Sequence, residues 1–460
     1  MFPENFTPVR WDAYCGVSKR IRVGASAPSC RCKPAERPAL DPHVVRLIFS
    51  LFHVANLRTS KRVPELDGLR GAAILLVVIV HYFSFNPYGR AGGLIQSFDV
   101  IIARTISMGW TGVDLFFVLS GFLIGGILLD ARDSPHYFKT FYVRRFFRII
   151  PIYYGWIAAY VALMAVAGSF LRAHVAGGAV PDGRHQYLVL LLFLQNFGLL
   201  GHSVIAGAWF WPTWSVAVEE QFYLAAPSVI RFLSRRALYI FLFLVIGAAP
   251  VLRLWVHYHF PVLNTELDYS YMLMPCRADA FAIGILAALL WRSARFRAWL
   301  GVHGRALAGI CAAWLAGVAA LVHWYPAYNS IPMISVGYTW IACFYAIILI
   351  LAIGKPGGAV ARFTRMGWLR EFGRVSYCFY LIHLVLRLIL QILVRAAAGP
   401  TGPGEDVGIS IAAIALSYGL ARLSWNYFEY PLLRRGHAYH YYDDVPALAS
   451  VEAAQKMEVC

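Results

Sequence analysis

The sequence predicts an all-α, polytopic transmembrane bundle of about ten spanning helices, and three observations carry that prediction. Of the 460 residues, 59% are hydrophobic and only 14% charged, far from the balance of a soluble domain. The apolar residues fall in runs long enough to cross a bilayer, which takes about 20 residues in helical form. The basic residues collect between alternate runs, as they do in cytoplasmic loops.

The spans read near 64–85, 108–129, 149–168, 216–233, 238–256, 277–292, 306–324, 333–353, 375–395 and 408–425. The arginine-bearing stretches 132–148, 231–236, 292–305 and 355–374 then share one side with Arg434 and Arg435. The positive-inside rule makes that side the cytoplasm and places both termini there. The formal charge of +17 thus orients the chain beside anionic lipid and argues against a nucleic-acid partner. Residues 1–62 read as a basic, largely disordered cytoplasmic leader. Its one apolar stretch, VVRLIFSLFHVANL at 44–57, is too short to span and fits an interfacial helix. Residues 436–460 read as a cytoplasmic tail. The run YLVLLLFLQNFGLL at 187–200 reads as re-entrant or surface-lying, because a crossing there would put Arg231, Arg235 and Arg236 outside. No strand-like alternation or internal repeat suggests a barrel or the inverted halves of a transporter. The eight cysteines make no CxxC pair or zinc-spaced set, so neither a disulfide framework nor a metal is expected.

The first span, LDGLRGAAILLVVIVHYF at 66–83, carries an arginine near its start and a histidine well inside. Arg70 and His81 are eleven residues apart, about three helical turns and a rise of roughly 16 Å, and so share a face with Asp67. An anchor and a packed histidine would explain both. Ionisable groups at membrane depth are costly, however, and more often mark a substrate or proton path.

Six further segments follow in order: GWTGVDLFFVLSGFLIGGIL at 109–128, FYVRRFFRIIPIYY at 141–154, TWSVAVEEQFYL at 213–224, RADAFAIGILAA at 277–288, SYCFYLIHLVL at 376–386 and FEYPLLRR at 428–435. Together with the Arg70/His81 spacing, they make residues 63–435 resemble the acyltransferase 3 family of integral-membrane acyltransferases. The resemblance implies transfer of an acyl group, commonly acetyl from acetyl-CoA, to a hydroxyl on a sugar, a glycan or a macrolide, with His81 catalytic. Imidazole suits either general-base or nucleophilic work. Arg70 joins that candidate catalytic group.

Asp114 is expected to orient His81 from the ring's other nitrogen, unless it pairs with an arginine to hold helices together. Ser120 and Gly121 read as close-packing residues, since no G-x-S-x-G elbow surrounds them. Arg144, Arg145 and Arg148 cluster within one turn and suit the phosphates of coenzyme A, in line with the family's RxxR motif; a positive-inside anchor is the other reading. Glu219 and Tyr223 share a helix face, and the resemblance singles out Glu219. Arg277, which opens a span with Asp279, would neutralise Glu219 or Asp114, or belong to a structural ion pair. Ser376, Tyr380 and His383 form a polar stripe that lines an acceptor passage or bonds neighbouring helices. Glu219, Tyr223, Arg277, Ser376, Tyr380 and His383 are therefore the candidate substrate-binding residues. Glu429 terminates the last span, as an anchor or a donor-site support.

The sequence thus reads as an O-acyltransferase of the bacterial cytoplasmic membrane, with acyl-CoA as donor, no metal, and a sugar-containing acceptor such as a cell-surface polysaccharide. A macrolide or other glycosylated metabolite is the alternative acceptor. A proton-coupled transporter, relaying through His81, Asp114 and Glu219, is the alternative of another class.

Overall fold

A computed structural model describes residues 63–83, 105–174, 184–197, 204–260, 269–325 and 327–442. The leader, its interfacial segment at 44–57 and the tail beyond residue 442 lie outside the described residues.

The chain runs through α1 (Pro64–Phe83), α2 (Gly112–Asp130), α3 (Tyr137–His174), the short α4 (Arg184–Leu191) and α5 (Val204–Phe210), α6 (Trp214–Phe232), α7 (Arg235–His259), α8 (Met274–Arg292), α9 (Ala294–Trp324), α10 (Tyr338–Gly354), the short α11 (Ala359–Thr364), α12 (Gly367–Ala398), α13 (Pro403–Ser424) and α14 (Tyr430–His437). Polar residues set the joints. Ser234 and Ser293 accept from the backbone N–H of Ala237 (3.2 Å) and Phe296 (3.4 Å), capping α7 and α9.

Among the described residues, nine helices are long and apolar enough to cross a membrane. The tenth expected span corresponds to α6, whose Glu219, Glu220 and Arg231 lower its hydropathy. It still returns the chain across the bundle. Tyr137 and Tyr142, at the start of α3, donate to Pro227 O (3.0 Å) and Leu224 O (3.1 Å) near the end of α6, so the two helices run antiparallel. A helix of this polarity is tolerable where a carboxylate finds protein partners, as Glu219 does in Ser120 and Tyr223.

Over residues 187–197, the described part of the run at 187–200, the chain forms no spanning helix. Helix α4 stops after eight residues, Phe193 takes a left-handed φ of 55°, and a 3-10 turn at Gln195–Phe197 follows. Irregular backbone survives at such a place only when its polar groups are bonded. Here Gln221 Nε2 donates to Phe193 O (2.9 Å), Gln195 Nε2 to Thr213 O (2.9 Å), and Asn196 Nδ2 to Met272 O (3.3 Å).

Ion pairs gather at one end of the bundle. Arg292 grips Asp130 with Nε (2.6 Å) and Nη2 (2.5 Å), Arg365 meets Glu65 (2.5 Å), and Arg422 pairs with Glu371. These residues sit at the start of α1 and α12 and the end of α2, α8 and α13, as the predicted alternation of crossings requires.

Small residues set the closest helix crossings, the usual device where lipid supplies no hydrophobic drive between helices. A Cβ on Gly71 would lie 1.9 Å from Leu369 O, and one on Gly373 1.8 Å from Asp67 O, so α1 and α12 touch backbone to backbone. Gly121 and Gly284 do the same for α2 and α8, where an added Cβ would meet Phe281 O at 2.2 Å and Val118 O at 2.3 Å. Near the other end, a π-helical turn at Met333–Gly337 is held by Arg253, fully buried on α7. Arg253 donates to Ile334 O (2.5 Å), Cys276 O (2.8 Å), Asp279 Oδ2 (2.9 Å) and Thr339 Oγ1 (2.8 Å).

Candidate active site

Helix α1 carries two polar centres on one face, roughly 16 Å apart along its axis. The upper one is a pair of imidazoles. His81 Nδ1 and His383 Nε2 are 2.8 Å apart, with ring centroids 5.1 Å apart and planes inclined by 21°. The other nitrogen of His383, Nδ1, lies 2.7 Å from the carbonyl oxygen of Tyr380. A carbonyl can only accept, so His383 Nδ1 carries a hydrogen. In the neutral ring Nε2 then holds the lone pair and must accept from His81 Nδ1–H. The same reasoning puts the lone pair of neutral His81 on Nε2. The chain of bonds therefore selects one tautomer of His81, as a carboxylate or carbonyl partner does for other reactive histidines.

Tyr82 clamps the same spot, its hydroxyl donating to His383 O (2.7 Å). Tyr380 is fixed in turn: its hydroxyl donates to Pro212 O (2.8 Å) and lies 2.7 Å from Ser215 Oγ. Ser376 does not reach this centre, because its hydroxyl donates to Gly373 O (3.0 Å) within its own helix. The pairing of His81 with His383 follows from register. Helices α1 and α12 start at the same end and cross at Gly71 and Gly373; each histidine stands ten residues beyond its glycine. That equal offset is a signal present in the sequence once the two glycines are matched.

The position beside His81 Nδ1, expected for Asp114, is taken by His383. Asp114 instead accepts from Arg277 Nη2 at 2.5 Å, with both side chains 1% exposed. Of the partners open to Arg277 it is thus Asp114, not Glu219. The Arg277 guanidinium lies over the rings of Tyr338 (4.3 Å), Tyr271 (5.0 Å) and Phe117 (5.7 Å), which offer its remaining N–H groups π faces. Asp279 belongs to Arg253. Removing one partner from such a pair strands the other charge in a buried site, at about 3–5 kcal/mol. Arg277→Met is therefore expected to lower the melting temperature in detergent sharply, and the double change Arg277→Met/Asp114→Leu to recover most of the loss. A double variant no more stable than the single one would contradict this pairing.

The lower centre joins Arg70, Arg145 and Arg148 with Glu219, Tyr223 and Ser120. Arg70 lies 3.7 Å from Asp67 and within electrostatic reach of Arg148 and Arg145. Glu219 accepts from Ser120 Oγ (2.6 Å) and Tyr223 OH (3.2 Å) and senses Arg148 and Arg70. Glu429, buried where it accepts from Ser424 Oγ (3.2 Å), also lies within electrostatic reach of Arg148. Arg145 lies over Tyr223 (5.6 Å) and Phe141 (5.8 Å). Among the described residues no carboxylate comes within 4.0 Å of Arg145 or Arg148. Arg70, Ser120, Arg145, Arg148 and Glu219 all stay partly exposed.

Arg144 is not part of it. Its Nε (3.0 Å) and Nη2 (2.6 Å) both donate to Tyr439 O and its guanidinium lies 5.1 Å from the Tyr441 ring centre. It straps the segment after α14 across the start of α3, where Thr140 also bonds His440 O (2.8 Å). Sequence reasoning also missed Ser120 and Ser215 as bonding partners, and Arg253 altogether.

Fold and site together define a polytopic helical membrane protein that holds paired imidazoles and a guanidinium cluster inside its bundle. The chain belongs to the acyltransferase 3 family, whose sequence model, an acyltransferase domain, matches residues 63–422. It is similar to the peptidoglycan O-acetyltransferase OatA of Listeria monocytogenes, 26% identical over 392 residues that cover 82% of this chain and 57% of that protein. It is also similar to the O-acetyltransferase OatA of Staphylococcus aureus (24% over 388 residues, 82% and 58%) and the putative peptidoglycan O-acetyltransferase YrhL of Bacillus subtilis (26% over 396 residues, 81% and 55%). The chain thus spans less than two thirds of the length of these relatives. No solved structure matches it.

Proposed function

We propose that the protein is an O-acetyltransferase of the bacterial cytoplasmic membrane that moves acetyl from acetyl-CoA to a hydroxyl of a cell-surface, peptidoglycan-like polysaccharide. The observation that carries this reading is the hydrogen-bond chain from Tyr380 O through His383 to His81, which places a lone pair on His81 Nε2. A transfer between two neutral partners needs such a base, or a nucleophile, at the point where they meet.

The donor's phosphates sit against Arg145, Arg148 and Arg70, guanidiniums suited to forked contacts with phosphate oxygens. Glu219, held by Ser120 and Tyr223, fixes the spread of that cluster. The slim pantetheine arm then follows α1 from the lower centre to the upper one. There His81 Nε2 takes the proton of the acceptor hydroxyl as its oxygen bonds to the thioester carbon. The carbon–sulfur bond breaks, and the same proton passes from His81 to the departing thiolate, giving the O-acetyl ester and free CoA. His383 steadies the transient imidazolium by accepting from Nδ1–H. The cytoplasm lies at the arginine-rich end in this scheme, and the acceptor comes from the opposite one.

Purified protein given labelled acetyl-CoA and glycan is expected to release free CoA and label the glycan. A proton-coupled transporter would do neither. Arg145→Ala and Arg148→Ala should each raise KM for acetyl-CoA by about 10-fold, the worth of a charge-assisted hydrogen bond, whereas Arg144→Ala should leave it unchanged. Equal effects at all three positions would remove the donor site from this face of α3.

A further inference from the structure

Beyond His383 the interior face of α12 stays polar in a stretch of sequence that otherwise reads as lipid-like. Arg387 and Gln391 follow one and two turns later, 4% and 1% exposed, roughly 6 and 12 Å above the imidazole pair along the helix. Both lie on the half of α12 that leads away from the arginine-rich end.

Arg387 is held by a hydroxyl and an aromatic ring rather than by a contact ion pair. Its Nε donates to Ser410 Oγ on α13 (3.3 Å) and its guanidinium lies 5.7 Å from the ring centre of Tyr82, the neighbour of His81. Asp406, which acts on it electrostatically, accepts at Oδ1 from Thr401 (2.9 Å). Among the described residues no carboxylate comes within 4.0 Å of Arg387. Among the described residues Gln391 finds no hydrogen-bond partner for either its amide nitrogen or its amide oxygen, although both atoms are buried. A buried amide of this kind bears its full desolvation cost with no return from the described residues. Leucine would pack there more cheaply.

We propose that Arg387 and Gln391 form the acceptor subsite, selective for a saccharide that carries a carboxylate. The inference rests on the O-acetyltransferase reading and adds to it the charge of the acceptor. The guanidinium matches a carboxylate in forked geometry, and the amide offers a donor and an acceptor to a neighbouring hydroxyl or acetamido group. Because both residues stand on the helix that carries His383, a sugar held by them presents its hydroxyl to His81.

The test uses the full chain in detergent with labelled acetyl-CoA and two tetrasaccharides of equal length. One is neutral chitotetraose; the other alternates N-acetylglucosamine with N-acetylmuramic acid and so bears free carboxylates. The wild-type protein should favour the acidic one. Gln391→Leu, which suits an apolar surrounding and should fold at least as well, is expected to raise KM for that acceptor at least 10-fold with KM for acetyl-CoA unchanged. Arg387→Gln should erase the preference between the two. Unchanged acceptor KM in Gln391→Leu, or wild-type transfer to the neutral tetrasaccharide alone, overturns the subsite. A wild-type protein that labels neither saccharide and releases no CoA overturns the transferase reading itself.

Discussion

Replacing His81 by alanine is expected to lower acetyl transfer by at least about 10³-fold, within the range that a positioned base or nucleophile supplies, while acetyl-CoA still binds. The two effects separate because the guanidinium cluster and the imidazole pair lie three turns apart on α1. His383→Ala should be milder, about 10-fold to 100-fold in kcat with both KM values kept. Without His383, His81 loses the bond that selects its tautomer and holds its ring, but not the reacting nitrogen itself. The measurement is single-turnover release of CoA beside equilibrium binding of labelled acetyl-CoA. Transfer at the wild-type rate by His81→Ala would end the assignment, whatever His383→Ala does. An equal and total loss in both variants, with donor binding intact, would make the two rings one indivisible unit.

What could be read from the sequence here was whatever depends on one helix at a time. Spacing alone put Arg70 and His81 on a common face and put Glu219 beside Tyr223; run length and the placing of arginines kept 187–200 from being a crossing. Helical geometry fixes such relations within a few turns. Partners were another matter. Asp114 and Arg277 lie 163 positions apart, and His81 and His383 lie 302 apart. Nothing in local periodicity says which of several buried cations a carboxylate will meet. For Asp114 the sequence left two partners open, His81 and an arginine, and only the packing of α2 against α8 decides for Arg277. Arg144 shows the same limit on a smaller scale. It adjoins Arg145, but neighbouring residues point about 100° apart around the axis, enough to send one to the chain end and the other to the interior. Arg387 and Gln391 were hidden for a different reason: inside an apolar run, two polar residues read as tolerated exceptions until their burial is known.

The crossing of α1 and α12 carries the second large expectation. Gly71→Ala and Gly373→Ala each add a single methyl group, yet that carbon would stand 1.9 Å from Leu369 O or 1.8 Å from Asp67 O, where ordinary contact begins near 3.4 Å. Backbone cannot swing aside as a side chain can, so the helices must part by roughly 1.5 Å at the crossing. Overpacking of this kind typically costs about 1–3 kcal/mol. Alanine's better helix propensity returns at most about 1 kcal/mol. The larger consequence is for chemistry. His81 and His383 stand ten residues above their respective glycines, and their 2.8 Å bond depends on the register and separation set there. Misplacing a reacting group by about 1 Å can cost about 10²-fold in rate, so kcat should fall by at least that factor in either variant, with a lower melting temperature in detergent. Gly155→Ala, where an added Cβ meets nothing within 4 Å among the described residues, is the control expected to leave both unchanged. Should Gly373→Ala melt and turn over like the wild-type protein, α1 and α12 do not meet at these glycines, and the shared register that brings the two imidazoles together loses its basis.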